Sequence, residues 1–427
     1  MGKIRVKNFG PIGDGLEQDG YLAIDKATLF IGNQATGKSS VAKLFSTLTW
    51  LEKSLFTEEL KAGEITSDNR FVNQYCAYQG IQNYFKKDTN IDFWGQYCRF
   101  RFLDGKLKLD EQYIASASNS QDGITVESGK NKHNYYYLKP KIMYIPAERN
   151  FLSVVERPEK IKNLPLPLYT FLDEFERSKS ELKSAIDLPI NGVRFEYQKS
   201  SNTSYVKGED FLLKLNYASS GIQSLLPLYL VSSNLAQSIH QESSREVKEI
   251  SLEQQQKLRK EVDQIMSNEK LNDEVRAALL ERLNNSYKNQ CFINIVEEIE
   301  QNLFPTSQRE LLYELLKFSN MTDGNKLLLT THSPYILNYL TLAIKAGQVK
   351  NKLQANEKQQ DNLNQIIPLD SCVDPKRVNI YEFTNDGIIK KLPTYDQIPS
   401  DDNYLNNELV DTNEIFDQLL ELEESIL

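Results

Sequence analysis

A phosphate-binding loop signature constrains this chain more than any other feature. Residues 32–40 read Gly-Asn-Gln-Ala-Thr-Gly-Lys-Ser-Ser, the pattern G-x-x-x-x-G-K-[ST], directly after an apolar strand at 27–31. Such a loop curls backbone N–H groups around the phosphates of a nucleotide, and a helix is expected from Lys38 onward. Lys38 would reach the phosphates, and the Ser39 hydroxyl would ligate Mg²⁺. The predicted nucleotide-binding residues are Gly32, Asn33, Gln34, Ala35, Thr36, Gly37, Lys38, Ser39 and Ser40.

Composition limits the class of protein. The 427 residues are 40% hydrophobic and 26% charged, as in soluble globular proteins. No apolar run reaches the ~18 residues that span a bilayer, and the first residues lack the apolar core of a signal peptide. We therefore expect no membrane partner. Because the four cysteines form no C-x-x-C pair, we expect neither a disulfide framework nor a zinc site, and a cytoplasmic location. The cysteines are Cys76, Cys98, Cys291 and Cys372.

The charge balance bears on nucleic acid as a partner. A net charge of −9 argues against a surface that coats DNA. A Lys- and Tyr-rich stretch at 130–141 could still contact DNA through charge and stacking. The alternative, which the acidic total favours, is a solvated β-edge.

The pattern along the chain divides it into six segments. They are 1–50, the first part of a nucleotide-binding core; 51–135, a lobe insertion; 136–232, a coupling loop and signature lobe; 233–289, a helical insertion; 290–350, two further core strands; and 351–427, a hairpin and an acidic tail.

Local patterns predict several elements within these segments. Helical periodicity at 251–289, opened by the capping-box pair Ser251 and Gln254, predicts a helical hairpin, either a protruding arm or one more packed helix pair. The polar residues 353–366 predict a mobile loop. Asn385-Asp386-Gly387 predicts a β-hairpin turn, and an amphipathic helix is expected around 415–422.

A run of small residues precedes an apolar helix near the middle of the chain. Ala218-Ser219-Ser220-Gly221-Ile222-Gln223 would place Ser219 and free backbone N–H groups at a helix start, which favours an anion. Small residues at such a position are also ordinary helix caps. The candidate nucleotide-binding residues here are Ser219, Ser220, Gly221 and Gln223.

Two adjacent carboxylates end the apolar strand at 291–296. Glu297 could hold Mg²⁺, while Glu298 could deprotonate the attacking water. A solvated acidic turn is the alternative, but acids that directly follow so apolar a strand favour function.

A histidine ends the next apolar strand, at 326–331. A lone histidine is more often structural, but His332 follows the carboxylate strand in the chain order. We therefore interpret His332 as a catalytic residue that contacts the γ-phosphate and positions water.

These four motifs occur in the order found in ABC-type ATPases, and the chain resembles the RecF/SMC/OLD branch of that superfamily. The resemblance rests on the opening strand at 4–9 and on 32–40, 219–223, 297–300 and 331–334. It implies an α/β fold: a P-loop ATPase head with a mixed sheet, an antiparallel β subdomain, a signature helical lobe and a helical-hairpin insertion. It further implies that 145–149 couples nucleotide state to the second lobe, through Glu148 or Arg149. Ser220 replaces the usual first glycine of the signature, and Glu297 stands where many relatives have aspartate.

The resemblance also implies a mechanism. Relatives bind ATP with Mg²⁺ between two head-to-tail subunits, so that the phosphate loop of one faces the signature at 219–223 of the other. The implied catalytic residues are Glu298, His332 and Lys38, and the implied metal ligands are Ser39 and Glu297. A homodimer or higher oligomer with slow ATP hydrolysis is therefore expected.

Three functional hypotheses follow. In the first, the protein is a sensor or scaffold ATPase that controls a separate effector, a nuclease or toxin. It then resembles the stand-alone ATPase subunits of anti-phage systems such as PARIS and Septu. The second is a RecF/SMC-like clamp for DNA repair or maintenance, and the third is a regulatory nucleotide-binding module with negligible turnover.

Overall fold

The computed structural model describes most of the chain. The described residues are 2–67, 69–110, 118–120, 123–128, 131–133, 137–190, 192–242, 259–260, 262–263, 265–267, 276, 288–353 and 357–426. Most of the predicted helical hairpin at 251–289 lies outside these residues, as do parts of the basic stretch at 130–141.

Within the described residues, runs of strands are separated by α-helices. The strands are β1 Gly2–Phe9, β2 Gly15–Leu16, β3 Leu22–Ile24, β4 Ala27–Gly32, β5 Phe85–Trp94, β6 Arg99–Leu103, β7 Lys106–Leu109, β8 Ser118–Ser120, β9 Gly123–Ser128, β10 Asn131–His133, β11 Pro140–Ile145, β12 Ile186–Asp187, β13 Arg194–Gln198, β14 Thr203–Lys207, β15 Leu212–Lys214, β16 Cys291–Val296, β17 Lys326–Thr330, β18 Val378–Phe383, β19 Ile388–Lys391, β20 Thr394–Tyr395 and β21 Ile398–Pro399. The α-helices are α1 Lys38–Phe56, α2 Ala62–Thr66, α3 Phe151–Val154, α4 Leu166–Glu181, α5 Ser220–Glu242, α6 Pro305–Asn320, α7 Pro334–Lys352, α8 Glu357–Ile366 and α9 Tyr404–Ile426. A π-helix spans Phe71–Cys76, and 3₁₀ turns span Glu17–Asp19, Gln82–Tyr84, Ala147–Asn150, Pro158–Lys160, Leu215–Tyr217, Leu369–Ser371 and Pro375–Arg377.

A seven-stranded mixed sheet forms the centre of the protein. Its order is β11-β16-β17-β4-β18-β19-β2, and the five strands from β11 to β18 run parallel. Every residue of β4, β16 and β17 is buried, which explains their continuous apolar runs. Because parallel strands end at one edge of a sheet, the phosphate loop, the acidic pair and His332 all fall at the same edge.

An antiparallel subdomain packs over one face of this sheet. Its strand order is β3-β1-β5-β6-β7, with α1 between the two sheets. Phe45 of α1 contacts Phe93 of β5, with ring centroids 6.0 Å apart. The other face of the central sheet packs against α5, α6 and α7, where Asn294 donates to Ser232 of α5 at 2.9 Å. The predicted mixed α/β fold with an antiparallel subdomain is confirmed.

The segment predicted to form the signature lobe contains α4, the first part of α5 and the antiparallel sheet β12-β13-β14-β15. Helix α5 runs through Pro227 and continues to Glu242, so its last residues belong to the segment that begins at 233. Side chains of α4 and α5 join the same apolar core as the central sheet. The lobe and the phosphate loop therefore share one packed body.

Two predictions for the last part of the chain have different outcomes. The turn at Asn385-Asp386-Gly387 is confirmed, since β18 and β19 pair antiparallel around it and Gly387 has φ +80°. The predicted mobile loop at 353–366 is wrong from Glu357 onward, where α8 forms. The buried side chain of Leu363 anchors that helix, whose other residues are polar except for the exposed Ile366.

Candidate active site

The phosphate loop lies between β4 and α1, as its sequence predicts. Gly32 and Gly37 have φ values of +134° and +98°, and Ala35 also has positive φ. The Thr36 hydroxyl donates to the Asn33 carbonyl at 2.8 Å, which closes the turn. Since α1 begins at Lys38, its unpaired N–H groups face the loop and form a site for an anion.

Lys38 is folded back over its own loop. Its Nζ donates to the carbonyls of Gly32 at 2.9 Å and Asn33 at 2.6 Å, and lies 3.4 Å from His332 Nδ1. Burial lowers the pKa of Lys38 to about 8. The nearby Glu300 and Glu298 carboxylates act in the opposite direction and favour the charged form. A phosphate would supply the negative charge that this buried ammonium lacks.

Glu297 is buried beside the first turns of α1. One carboxylate oxygen accepts from the Ala147 amide at 3.4 Å, and the other lies 3.7 Å from Lys43 Nζ. Lys43 lies one helical turn after Ser39, on the same face of α1, so Glu297 and Ser39 border one region. A carboxylate and a hydroxyl are hard oxygen donors, and Mg²⁺ commonly completes its shell with phosphate and water. The residues present thus fit the predicted metal.

The backbone of Glu298 is strained, and this directs its side chain away from the sheet. Its φ is +44°, and its amide donates to the Thr330 hydroxyl at 3.1 Å. The carboxylate lies 3.7 Å from His332 Nε2, and this interaction lowers the pKa of Glu298. Its side chain keeps 39% exposure, so a water molecule can reach an ionised carboxylate.

A third carboxylate, Glu300, holds the histidine. Its two oxygens accept from the His332 amide at 2.6 Å and from the Thr331 hydroxyl at 2.8 Å. The imidazole ring then lies between Lys38 and Glu298. The sequence analysis assigned no separate role to Glu300. Its position two residues after the acidic pair was the only feature of the sequence that pointed to it.

Arg149 joins the loop at 145–149 to the acidic pair and to α5. The side chain is fully buried, and its guanidinium donates to the carbonyls of Glu297 and Glu298, both at 2.7 Å. It also donates to the Pro146 carbonyl at 3.3 Å and to the Ser224 carbonyl of α5 at 3.2 Å. Burial lowers the pKa of Arg149 to about 10, so it stays charged at neutral pH. Of Glu148 and Arg149, only Arg149 has contacts of this kind among the described residues.

The signature residues lie at the start of α5. Ser219 and Ser220 are exposed at the start of α5, whereas Gln223 is buried and donates to the carbonyls of Leu215 and Asn216. A Cβ on Gly221 would approach the Asn302 carbonyl to 2.9 Å, so this glycine allows close packing. Among the described contacts, Gln223 thus bonds within its own lobe, whereas Gly221 packs against Asn302 in the segment after the acidic pair. Their predicted role toward a nucleotide stays a prediction.

The structure thus brings Lys38, Glu297, Glu298 and His332 to one edge of a parallel sheet, next to an anion-binding loop. This fold and this site define a P-loop protein of the ATPase class. The chain belongs to the AAA ATPase domain family, which matches residues 1–289. No curated protein matches the sequence.

Solved structures similar to this chain include several SMC head domains. The head from Thermotoga maritima is 11% identical with a TM-score of 0.34, covering 92% of this chain and 98% of that chain. An SMC head bound to the C-winged helix domain of ScpA is 11% identical with a TM-score of 0.32, covering 91% and 96%. A head with an extended coiled coil bound to the ScpA C-terminal domain, derived from Pyrococcus furiosus, is 9% identical with a TM-score of 0.31, covering 98% and 100%.

No helix among the described residues has the length and apolar character needed to cross a membrane.

Proposed function

We propose that this protein is a Mg²⁺-dependent ATPase of the ABC type that hydrolyses ATP slowly. The observation that carries the proposal is the row of side chains from Lys38 through His332 to Glu298 beside the phosphate loop. The loop amides and Lys38 bind the triphosphate, and Ser39 and Glu297 hold the metal. Bound Mg²⁺ would neutralise charge on the phosphates.

Glu298 is the general base of this proposal. Its lowered pKa keeps the carboxylate ionised at neutral pH, and its exposure admits the water from which it takes a proton. His332 orients that water and the terminal phosphate, and Glu300 keeps the ring in place. Because this base is partly open to solvent rather than enclosed, we expect slow turnover.

Hydrolysis is tested with Glu298→Gln, which keeps the size of the side chain and removes the base. We expect a drop in kcat of at least about 100-fold with ATP binding retained. Glu310→Gln, in an exposed ion pair on α6, is the matched control and should hydrolyse ATP at the wild-type rate. Wild-type turnover by Glu298→Gln would show that the base is another group.

We further propose that two copies complete each other's sites, head to tail. Ser219 and Ser220 are exposed at a helix start, so they can face a nucleotide bound to a partner. A two-fold arrangement then forms two equivalent sites. ATP becomes part of the interface, and hydrolysis weakens the dimer.

Subunit mixing tests the shared site. Lys38→Ala removes the loop lysine, and Ser219→Arg blocks the signature, so each variant alone should be inactive. In a mixed dimer, one site joins the intact Lys38 of one subunit to the intact Ser219 of the other. Random pairing should restore about a quarter of wild-type activity. A mixture no more active than either variant would contradict a shared site.

The biological role we propose is a switch that controls a separate effector in anti-phage defence. Its support is the resemblance of the motif set at 32–40, 219–223, 297–300 and 331–334 to the ATPase subunits of such systems. Purification from the native operon, with mass analysis of the complex, should yield a stoichiometric effector. ATP hydrolysis stimulated by DNA, without such a partner, would favour the DNA-maintenance clamp. ATP binding without turnover would favour the regulatory module.

A further inference from the structure

The acidic helix α9 leaves the body of the protein almost at once. Its first turn is anchored: the Tyr404 amide donates to a Glu382 carboxylate oxygen at 2.9 Å, and Leu405 is buried. Every residue from 407 to 425 is exposed. At 1.5 Å per residue, this part of the helix extends about 28 Å into solvent.

One side of the exposed helix is apolar. Seven large hydrophobic side chains are between 43% and 60% exposed: Leu409, Val410, Ile415, Phe416, Leu419, Leu420 and Leu422. Leu409, Phe416 and Leu420 follow one another at spacings of seven and four residues, and Leu419 lies beside them, which makes a continuous stripe. An isolated helix gains little stability in water, and most helical stability comes from packing such a stripe.

Charge on this helix is entirely of one sign. Residues 401–427 contain nine Asp or Glu side chains, seven of them on α9, and no Lys or Arg. Their charge equals the net charge of the whole chain, −9. Residues 1–400 are therefore neutral in total. The acids include Asp411, Glu414 and Asp417, which lie outside the apolar stripe.

The apolar stripe and the acidic charge together indicate what kind of surface binds α9. A second copy of α9 would cover the stripe but would place two wholly acidic helices side by side, and like charges along such a seam destabilise it. A groove with an apolar floor and with Lys or Arg on its rims would bury the apolar stripe and pair with the acidic side chains. Helix-in-groove recognition of this kind reads apolar anchors at helical spacing.

We propose that α9 is the docking element for a separate protein that offers an apolar groove bordered by basic side chains. This proposal rests on the proposed function in one respect only, which is that the separate protein is the effector. The position of α9 in the fold also connects this helix to the nucleotide site. Glu382, which caps α9, lies in β18 opposite Ile31 of β4, and the next pair in the register is Phe383 and Gly32.

The test uses the full chain and two labelled peptides of defined chemistry. Each peptide is an amphipathic helix of three heptads with Leu at positions a and d; one carries Lys at e and g, and the other Glu. Fluorescence anisotropy without nucleotide should show binding of the Lys peptide with a roughly micromolar Kd, weakened by salt, and no binding of the Glu peptide. Equal binding of both peptides would refute charge complementarity.

A charge-preserving variant separates docking from simple attraction to acids. Phe416→Ser/Leu419→Ser keeps every charge, and we expect at least about tenfold weaker binding of the Lys peptide. Leu342→Ser, at a half-exposed position on α7, is the matched control and should bind like the wild type. Unchanged binding by Phe416→Ser/Leu419→Ser would overturn the proposal.

Two further measurements distinguish docking of a separate protein from self-association and from a part in ATP hydrolysis. If light scattering shows that the wild type self-associates and Phe416→Ser/Leu419→Ser does not, the occupant is a second copy and the proposal is wrong. ATP hydrolysis by this variant should equal that of the wild type, and a loss would place α9 in the ATPase machinery instead. Because peptide binding is measured without nucleotide, failure of the ATPase proposal would leave this result standing.

Discussion

Arg149→Lys is the substitution that best tests how the acidic pair is positioned. It keeps the positive charge but replaces a planar group with five donors by an ammonium with three donors on one atom. In the wild type, the guanidinium reaches the Glu297 and Glu298 carbonyls on one side and Ser224 of α5 on another. A lysine can keep the bonds on one side only.

The magnitude follows from the bonds lost. Hydrogen bonds to a charged group contribute about 1.5–3 kcal/mol each, so losing two lowers the free energy of unfolding by about 3–6 kcal/mol. The free energy of unfolding of a typical domain is about 5–15 kcal/mol, so the variant should fold but unfold at a lower temperature. Removal of the charge with Arg149→Met would break all four of these hydrogen bonds at once and could prevent folding, which makes it less informative.

The assay must separate stability from positioning. Glu298 keeps a φ of +44° while its carbonyl is bound by Arg149, so loss of that bond frees the carboxylate to turn from His332. We expect kcat to fall at least about tenfold, or about 1.4 kcal/mol in barrier, at a temperature where the variant is folded. The Kd for ATP should change less than about threefold, because the phosphate loop is untouched.

Two outcomes would refute this reasoning. A lower melting temperature with wild-type kcat would show that Arg149 is only structural. Unchanged stability would show that the four bonds contribute less than their geometry indicates. Arg194→Lys is the matched control: its ion pair with Asp187 is exposed on both sides, so neither stability nor kcat should change measurably.

Three further predictions follow from the structure. Near pH 8.5, a Lys38 with a pKa of about 8 is roughly three-quarters neutral, so ATP binding should take up about three-quarters of a proton. Calorimetry in two buffers measures this uptake, and Lys38→Arg should take up none. Burial raises the pKa of Glu52 to about 7, above its unfolded value of 4.5, so its contribution to stability falls as pH rises from about 4.5 to about 7 and stays low above that. Glu52→Gln should therefore exceed the wild type by up to roughly 3 kcal/mol in urea unfolding at pH 8 and by less at pH 5; an equal gap at both would contradict this cause. Gly32→Ala would place a Cβ 2.2 Å from the Phe383 carbonyl at φ +134°, and we expect thermal unfolding to show a free energy of unfolding lower by more than about 2 kcal/mol. Gly63→Ala, with open space around it, should not destabilise the protein. A wild-type melting temperature for Gly32→Ala would show that β4 and β18 can separate there.

Several elements could be predicted because their signals are local. The apolar strands before Lys38, Glu297 and His332 are continuous buried runs, and each is followed by polar residues at the sheet edge. The hairpin at Asn385-Asp386-Gly387 needs only its own backbone preferences. The polar helix α8 was missed because the burial of Leu363, which depends on distant parts of the chain, overrides its composition.

The sequence by itself determined where the phosphate loop, the acidic pair and the histidine lie along the chain, and that parallel strands bring them to one edge. Only the tertiary structure decided which side chains support them. Arg149 meets Glu297 and Glu298 across 148 and 149 residues of sequence, and it meets Ser224 across 75. Glu300 binds the His332 amide across 32 residues. The physical reason is that a strand or a turn follows from neighbouring residues, whereas the partner of a buried charge depends on where the rest of the chain packs.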